Sequence, residues 1–146
     1  CAYHAEFSRE KLFWIDLAHE GRFAYADGQE ELFCVNSAYM LSGSSIKFLC
    51  ALLNSQLIAW FMRNTALNSG MGVPRWIRST IDAIPIPRPL EVVVESLTHL
   101  VDDIIHKKAA GHAASTSDLE SQVDGIVYKL YGLTGRDIEI VTSSHR

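Results

Sequence analysis

Ile46, Leu49, Cys50, Leu53, Leu57, Trp60 and Phe61 fall at the three- and four-residue spacing of one helical face, and no other stretch of the chain is patterned so strongly. Phe48, Ala51, Leu52, Ile58, Ala59 and Met62 occupy most of the remaining faces. A helix that is apolar nearly all round must be covered by the rest of the chain. Ser44 or Ser45 stands where its N-cap belongs. Asn54, Ser55 and Gln56 interrupt the run and leave it too polar at its centre, and too short, for a membrane span. The pattern predicts one buried core helix against which the other elements pack.

The chain has 146 residues, 48% of them hydrophobic, enough for one core with a helical appendage. The expected division is an α/β core over 1–88 and a helical segment over 89–146 that packs on the core or on a partner domain. The opening Cys1, Ala2, Tyr3, His4 lacks the basic and then apolar pattern of a signal peptide, and the chain reads as a piece excised from a longer protein. Cys1, Cys34 and Cys50 are odd in number and without Cys-x-x-Cys spacing, which fits packed thiols in a reducing cytoplasm and suggests no zinc site.

Residues 9 to 36 read as strands. Leu12, Phe13, Trp14 and Ile15 form an apolar run, the His19, Glu20, Gly21 turn leads to Phe23, Ala24, Tyr25, and Asp27-Gly28 is a hairpin signal before Leu32, Phe33, Cys34 and Val35. Tyr39, Met40 and Leu41 offer one more short strand. Beyond the core helix, Arg63 to Arg78 is aperiodic, and 77–86 is expected to be extended because Pro85 and Pro87 exclude helix at the residues before them. Val94, Leu97, Val101 and Ile104 then mark an amphipathic helix after Pro89. Ser117 and Glu120 have capping-box spacing ahead of Leu119, Val123, Ile126, Val127 and Leu130, a helix ending near Gly132, and Thr134 caps a last short helix. The predicted class is α+β: a small, mainly antiparallel sheet packed on a buried central helix, followed by a C-terminal helical hairpin.

Charge is unevenly placed. The first 44 residues and the last 58 each carry −4, whereas 45–88 carries +4, from Lys47, Arg63, Arg75, Arg78 and Arg88 against Asp82. Two readings follow: a polyanion is drawn to the middle, or the cations pair with the acidic flanks in the fold. Conventional enzyme chemistry is missing. His4, His19, His112 and His145 stand without a nucleophile motif, and Gly70, Met71, Gly72 lacks the third glycine of a dinucleotide fingerprint. Asp16 with Glu20 and Asp137 with Glu139 read as surface carboxylates. His99, Asp102, Asp103 and His106 are neighbours on one helix, and a solvated face opposite the apolar stripe explains them more simply than a metal site does.

In their order, the Lys11 to Asp16 strand with its tryptophan, the Phe23 to Gly28 hairpin, the Leu52, Leu53, Asn54, Ser55 helix centre, the Gly70 to Gly72 loop, the Ile84 to Pro87 exit and the Val127 to Leu133 ending resemble the TaqI-like C-terminal specificity domain of restriction-modification enzymes and adenine-specific DNA methyltransferases. The helix after the Ile-Pro exit is also similar to the spacer of multi-subunit restriction specificity subunits. The resemblance implies a domain that grips double-stranded DNA and selects the sequence. An upstream domain of the same chain would bind S-adenosylmethionine and methylate adenine. The Asn/Asp-Pro-Pro-aromatic catalytic motif is absent from this stretch, which is expected to be inert alone and to bind no cofactor or metal. Within that frame Arg75 or Arg78 suits a guanine edge and Asn64 or Asn68 an adenine edge, while Lys47 and Arg63 suit phosphates. The competing expectation is a protein-interaction or dimerisation module built on the C-terminal helices.

Overall fold

The structure, a computed structural model, describes residues 4–29, 32, 37–66, 72–111 and 115–143. After a short 3-10 helix at His4–Ser8, strand β1 (Lys11–Ile15) buries Leu12 and Trp14 and exposes Ile15, the alternation of a strand with one covered face. Lys11 is also buried, and its ammonium donates to the carbonyls of Phe7 and Arg9 at 2.6 and 3.1 Å. Strands β2 (Ala24–Ala26) and β3 (Ala38–Ser42) pair with β1 on either side, both antiparallel, in the order β2-β1-β3. The Asp27-Gly28 hairpin signal points from β2 into 32–35, most of which lies outside the described residues; among the described strands β2 and β3 flank β1 and do not pair with each other. Gly28 sits at φ +87°, where a Cβ would lie 2.8 Å from the Arg9 carbonyl carbon, a turn with close backbone approach. A strand over 33–35 lies outside the described residues.

The core helix is two helices. Helix α1 (Ile46–Leu53) ends at Asn54, and α2 (Gln56–Thr65) restarts after Ser55, whose Oγ donates to the Leu52 carbonyl at 2.6 Å and accepts from the Ile58 amide at 3.4 Å. A competent N-cap inside an apolar run supplies the break that periodicity cannot reveal. Asn54 makes use of it: its Oδ1 accepts from the Phe23 amide at 3.0 Å, and its Nδ2 donates to the carbonyls of Phe23 and Cys50. Ser45 holds the N-cap position of α1 at φ 56° without a side-chain capping bond. Ile46, Phe48, Leu52, Leu53, Ile58 and Met62 are almost wholly buried, while Leu49, Trp60 and Phe61 are half-buried, so the coverage inferred from the pattern is met in part.

The extended reading of 77–86 gives way in part to a one-turn helix, α3 (Arg78–Ile81), because the prolines bar helix only from Ile84 onward. Helix α4 (Glu91–Ala110) packs on α1 and on α5 (Ser117–Leu130). Thr116, not Ser117, precedes α5, and its hydroxyl donates to Glu120 at 2.7 Å. Gly132, at φ +68°, follows α5; its amide bonds the Lys129 carbonyl and that of Leu133 the Tyr128 carbonyl, the glycine stop that the sequence signals. Thr134 and Asp137 bond reciprocally at the start of α6 (Gly135–Ser143). Buried Asp124 of α5 accepts from the Gln56 amide at 2.8 Å, a carboxylate on the positive end of α2 that ties the C-terminal helices to the core. Among the described residues no helix is long and apolar enough to cross a membrane.

Candidate nucleic-acid interface

The segment 72–82 is fastened to the connection between β1 and β2 by bonds that tryptophan makes. Leu17 and Arg75 form an isolated antiparallel bridge, and the Trp76 amide donates to the Asp16 carbonyl at 2.7 Å. The Trp76 indole N–H donates to the Ala18 carbonyl at 2.9 Å, and that of Trp14 to the Trp76 carbonyl at 2.7 Å. Trp76 is fully buried, edge-on to Phe23 at 5.8 Å, while Trp14 stacks on Tyr39 at 5.5 Å. Gly21 is obligatory beside it, since a Cβ there would meet the Trp76 ring at 2.6 Å. Trp76 is thus the core anchor, and its neighbours Arg75, Ile77 and Arg78 are carried to the surface by it.

There Tyr39, Arg75, Ile77, Arg78, Ser79 and Asp82 line an open depression. Arg75 grips Asp16 with two donors, Nε to Oδ1 at 3.2 Å and Nη2 to Oδ2. That hydrogen bonding, with the carboxylate charge, makes the guanidinium hold its proton more tightly than usual. Its side chain remains 44% exposed, against 18% for Asp16. Arg78 is held differently, by one 3.3 Å contact from Nε to Asp82, with 87% of the side chain exposed.

The other described residues named from the sequence do not line this depression. Lys47 projects from α1 to Asp102 of α4, Nζ to Oδ1 2.7 Å, and lies 5.3 Å from the centre of the Tyr25 ring. Asn64 turns back on its own helix, donating to the Trp60 carbonyl at 2.7 Å. Arg63, in the last turn of α2, has its Nη2 buried without a partner among the described residues. Asn68 lies outside the described residues. Arg75 and Lys47 therefore follow the pairing alternative, each to an acidic flank, while Arg75 and Arg78 still present charge side by side. Tyr39 and Ser79 carry no site signal in the sequence, and Asp16, expected as a surface carboxylate, is instead largely covered and bound to a partner 59 positions away, beyond any local pattern. The only trace of it in the sequence is an acidic residue placed directly after an apolar strand. Among the described residues no group of three or more metal-type ligands assembles, and Asp102 of the helical His/Asp group is committed to Lys47.

No curated protein matches the sequence. The fold is shared with a type IIL restriction-modification enzyme, MmeI, whose structure was solved in complex with DNA: the TM-score is 0.74 at 15% identity, over 92% of this chain and 21% of that one. The present chain thus spans about a fifth of that enzyme chain. Residues 2–86 match the TaqI-like C-terminal specificity domain, a span holding the sheet, α1, α2 and the whole Arg75–Arg78 depression. By that match, over more than half of its length, the chain belongs to the TaqI-like C-terminal specificity domain family.

Proposed function

We propose that the chain is the DNA-recognition part of a restriction-modification enzyme, binding duplex DNA and setting which sequence is acted on. The observation that carries the reading is the family membership of 2–86, and the two guanidinium groups presented in one depression supply suitable chemistry. Arginine forms paired hydrogen bonds with guanine in the major groove and also neutralises phosphate. Arg63, Asn64, Asn68 and Lys47 stay in the proposal as backbone or adenine contacts. For Lys47 that contact requires release from Asp102. Methyl transfer from S-adenosylmethionine to adenine belongs to an upstream domain of the complete protein, which works in the cytoplasm where the DNA is. Residues 1–88 do the recognising, and 89–146 brace that unit.

A second reading has a specific observation behind it. Ile86, Leu90 and Val92, around the start of α4, are 46, 74 and 60% exposed, which suits docking to another domain or to a second copy. Ionic strength separates the two. Affinity of the complete gene product for duplex DNA should fall steeply between low and physiological salt, in proportion to the phosphates neutralised. Binding to a partner that ignores salt, with no duplex affinity at low salt, would move the function to the helical segment.

A further inference from the structure

We infer that Asp16 is a positioning residue that presents Arg75 to a guanine, and that Arg78 meets the phosphate backbone; the inference rests on the DNA-recognition reading above. A guanidinium carries five N–H donors in a rigid planar fork. Asp16 takes the edge formed by Nε and Nη2. The edge formed by Nη1 and the second hydrogen of Nη2 stays available, and it matches the O6 and N7 acceptors of guanine. Held by two bonds, Arg75 has already given up most of the rotamer freedom that an unrestrained arginine would lose on binding. Arg78, on one long contact in a largely exposed pair, has not. A mobile cation suits phosphate, where position along the backbone is tolerant. A fixed fork suits a base edge, where it is not.

The ion pair is not needed to hold the loop. The Trp76 amide, the Trp76 indole and the Trp14 indole fasten the same segment, each to a backbone carbonyl. A carboxylate beside a DNA surface also repels phosphate, so its presence favours discrimination at the expense of affinity. That opposition of signs makes the inference testable.

The complete gene product would be used to select sites from a randomised duplex pool, and its affinity for the selected site and for each single-pair variant would then be measured. Asp16→Asn should bind duplex DNA as well as the parent or better, yet lose about 5- to 100-fold of its preference at one G·C pair. Arg75→Lys, which keeps the charge, should lose preference at that same pair, and the double variant should be no worse there than Arg75→Lys alone. Asp16→Glu should recover part of the preference. Arg78→Ala should weaken all sequences alike and shallow the salt dependence. Unchanged preference in Asp16→Asn, whatever Arg75→Lys does, overturns the assignment while leaving DNA recognition standing. A loss in Asp16→Asn spread evenly over the site, with a lower melting temperature, shows a structural strap and also overturns it. If Asp16→Asn does not fold, Asp16→Glu decides in its place: a partial loss of preference confined to the pair that Arg75→Lys affects supports the assignment, and unchanged preference overturns it. A parent protein without any sequence preference overturns both readings.

Discussion

The sheet side of the molecule and its helical side are held by different means. Around Trp76, four segments distant in sequence are joined by directional bonds: tryptophan N–H to backbone carbonyl, Asn54 to the Phe23 backbone, Arg75 to Asp16. Across α4 and α5 the cohesion is mostly apolar, with Leu97, Val101, Val123 and Val127 buried. Directional bonds place an element within tenths of an ångström, whereas apolar stripes tolerate sliding and repacking. A surface that reads a ligand belongs on the first kind of framework, and a brace can be made of the second.

Substitutions can break this contrast. Trp76→Ala removes a fully buried ring together with the indole donor to the Ala18 carbonyl, and should cost about 3 to 5 kcal/mol in denaturant unfolding, abolishing DNA preference with it. Leu97→Ala, on the helical side, should cost about 2 to 5 kcal/mol yet leave preference intact when assayed below its melting temperature. Equal loss of preference in the two variants would erase the distinction. Gly21→Ala forces a methyl into the Trp76 ring and should cost about 1 to 3 kcal/mol, with a disturbed sheet side and unaltered α4 to α6.

Chemistry sharpens the contrast further. Burial pushes the Cys50 thiol up to about 11, so peptide mapping after alkylation at pH 8 should find it unmodified until denaturant exposes it. The smallest effect concerns α6. The Thr134 hydroxyl and amide hold the Asp137 carboxyl below its usual value of 3.8. Its contribution is therefore complete above that value and disappears as pH falls through the lowered folded-state one. Helicity should drop slightly on acidification into that range, and Thr134→Ala should remove the drop.

The helical side was legible because its signals are local. The Val94 to Ile104 stripe, the Gly132 stop and the Thr134 cap each rest on residues a few positions apart, and each appears in the fold. The sheet side was legible as strands and unreadable as an arrangement. Nothing near Asp27-Gly28 reveals that β1 lies between β2 and β3, since pairing partners are chosen by the whole core. Asn54, Ser55 and Gln56 showed as a polar interruption, but the apolar spacing carries on across them and conceals that one helix ends and another begins there. Of the named site residues, Arg75 and Arg78 meet in one depression, but which was fixed and which loose depended on Asp16 and Asp82, one distant and one a helical turn away. Charge asymmetry marked the right stretch and could not distinguish a cation facing solvent from one, like Lys47, spanning two helices.

The fastening of 72–82 has a consequence for descent. Its tryptophan bonds end on main-chain carbonyls of Ala18 and Trp76, and Thr80 likewise bonds the carbonyls of Arg75 and Ile77. Main-chain acceptors are present whatever side chain occupies the position. Residues 75, 78 and 79 can therefore change identity without unfastening the loop that displays them, and a matched exchange at 16 and 75 would substitute one presented group for another. A lineage carrying this framework can drift from one target to the next by single replacements, each tried on a scaffold that is already built.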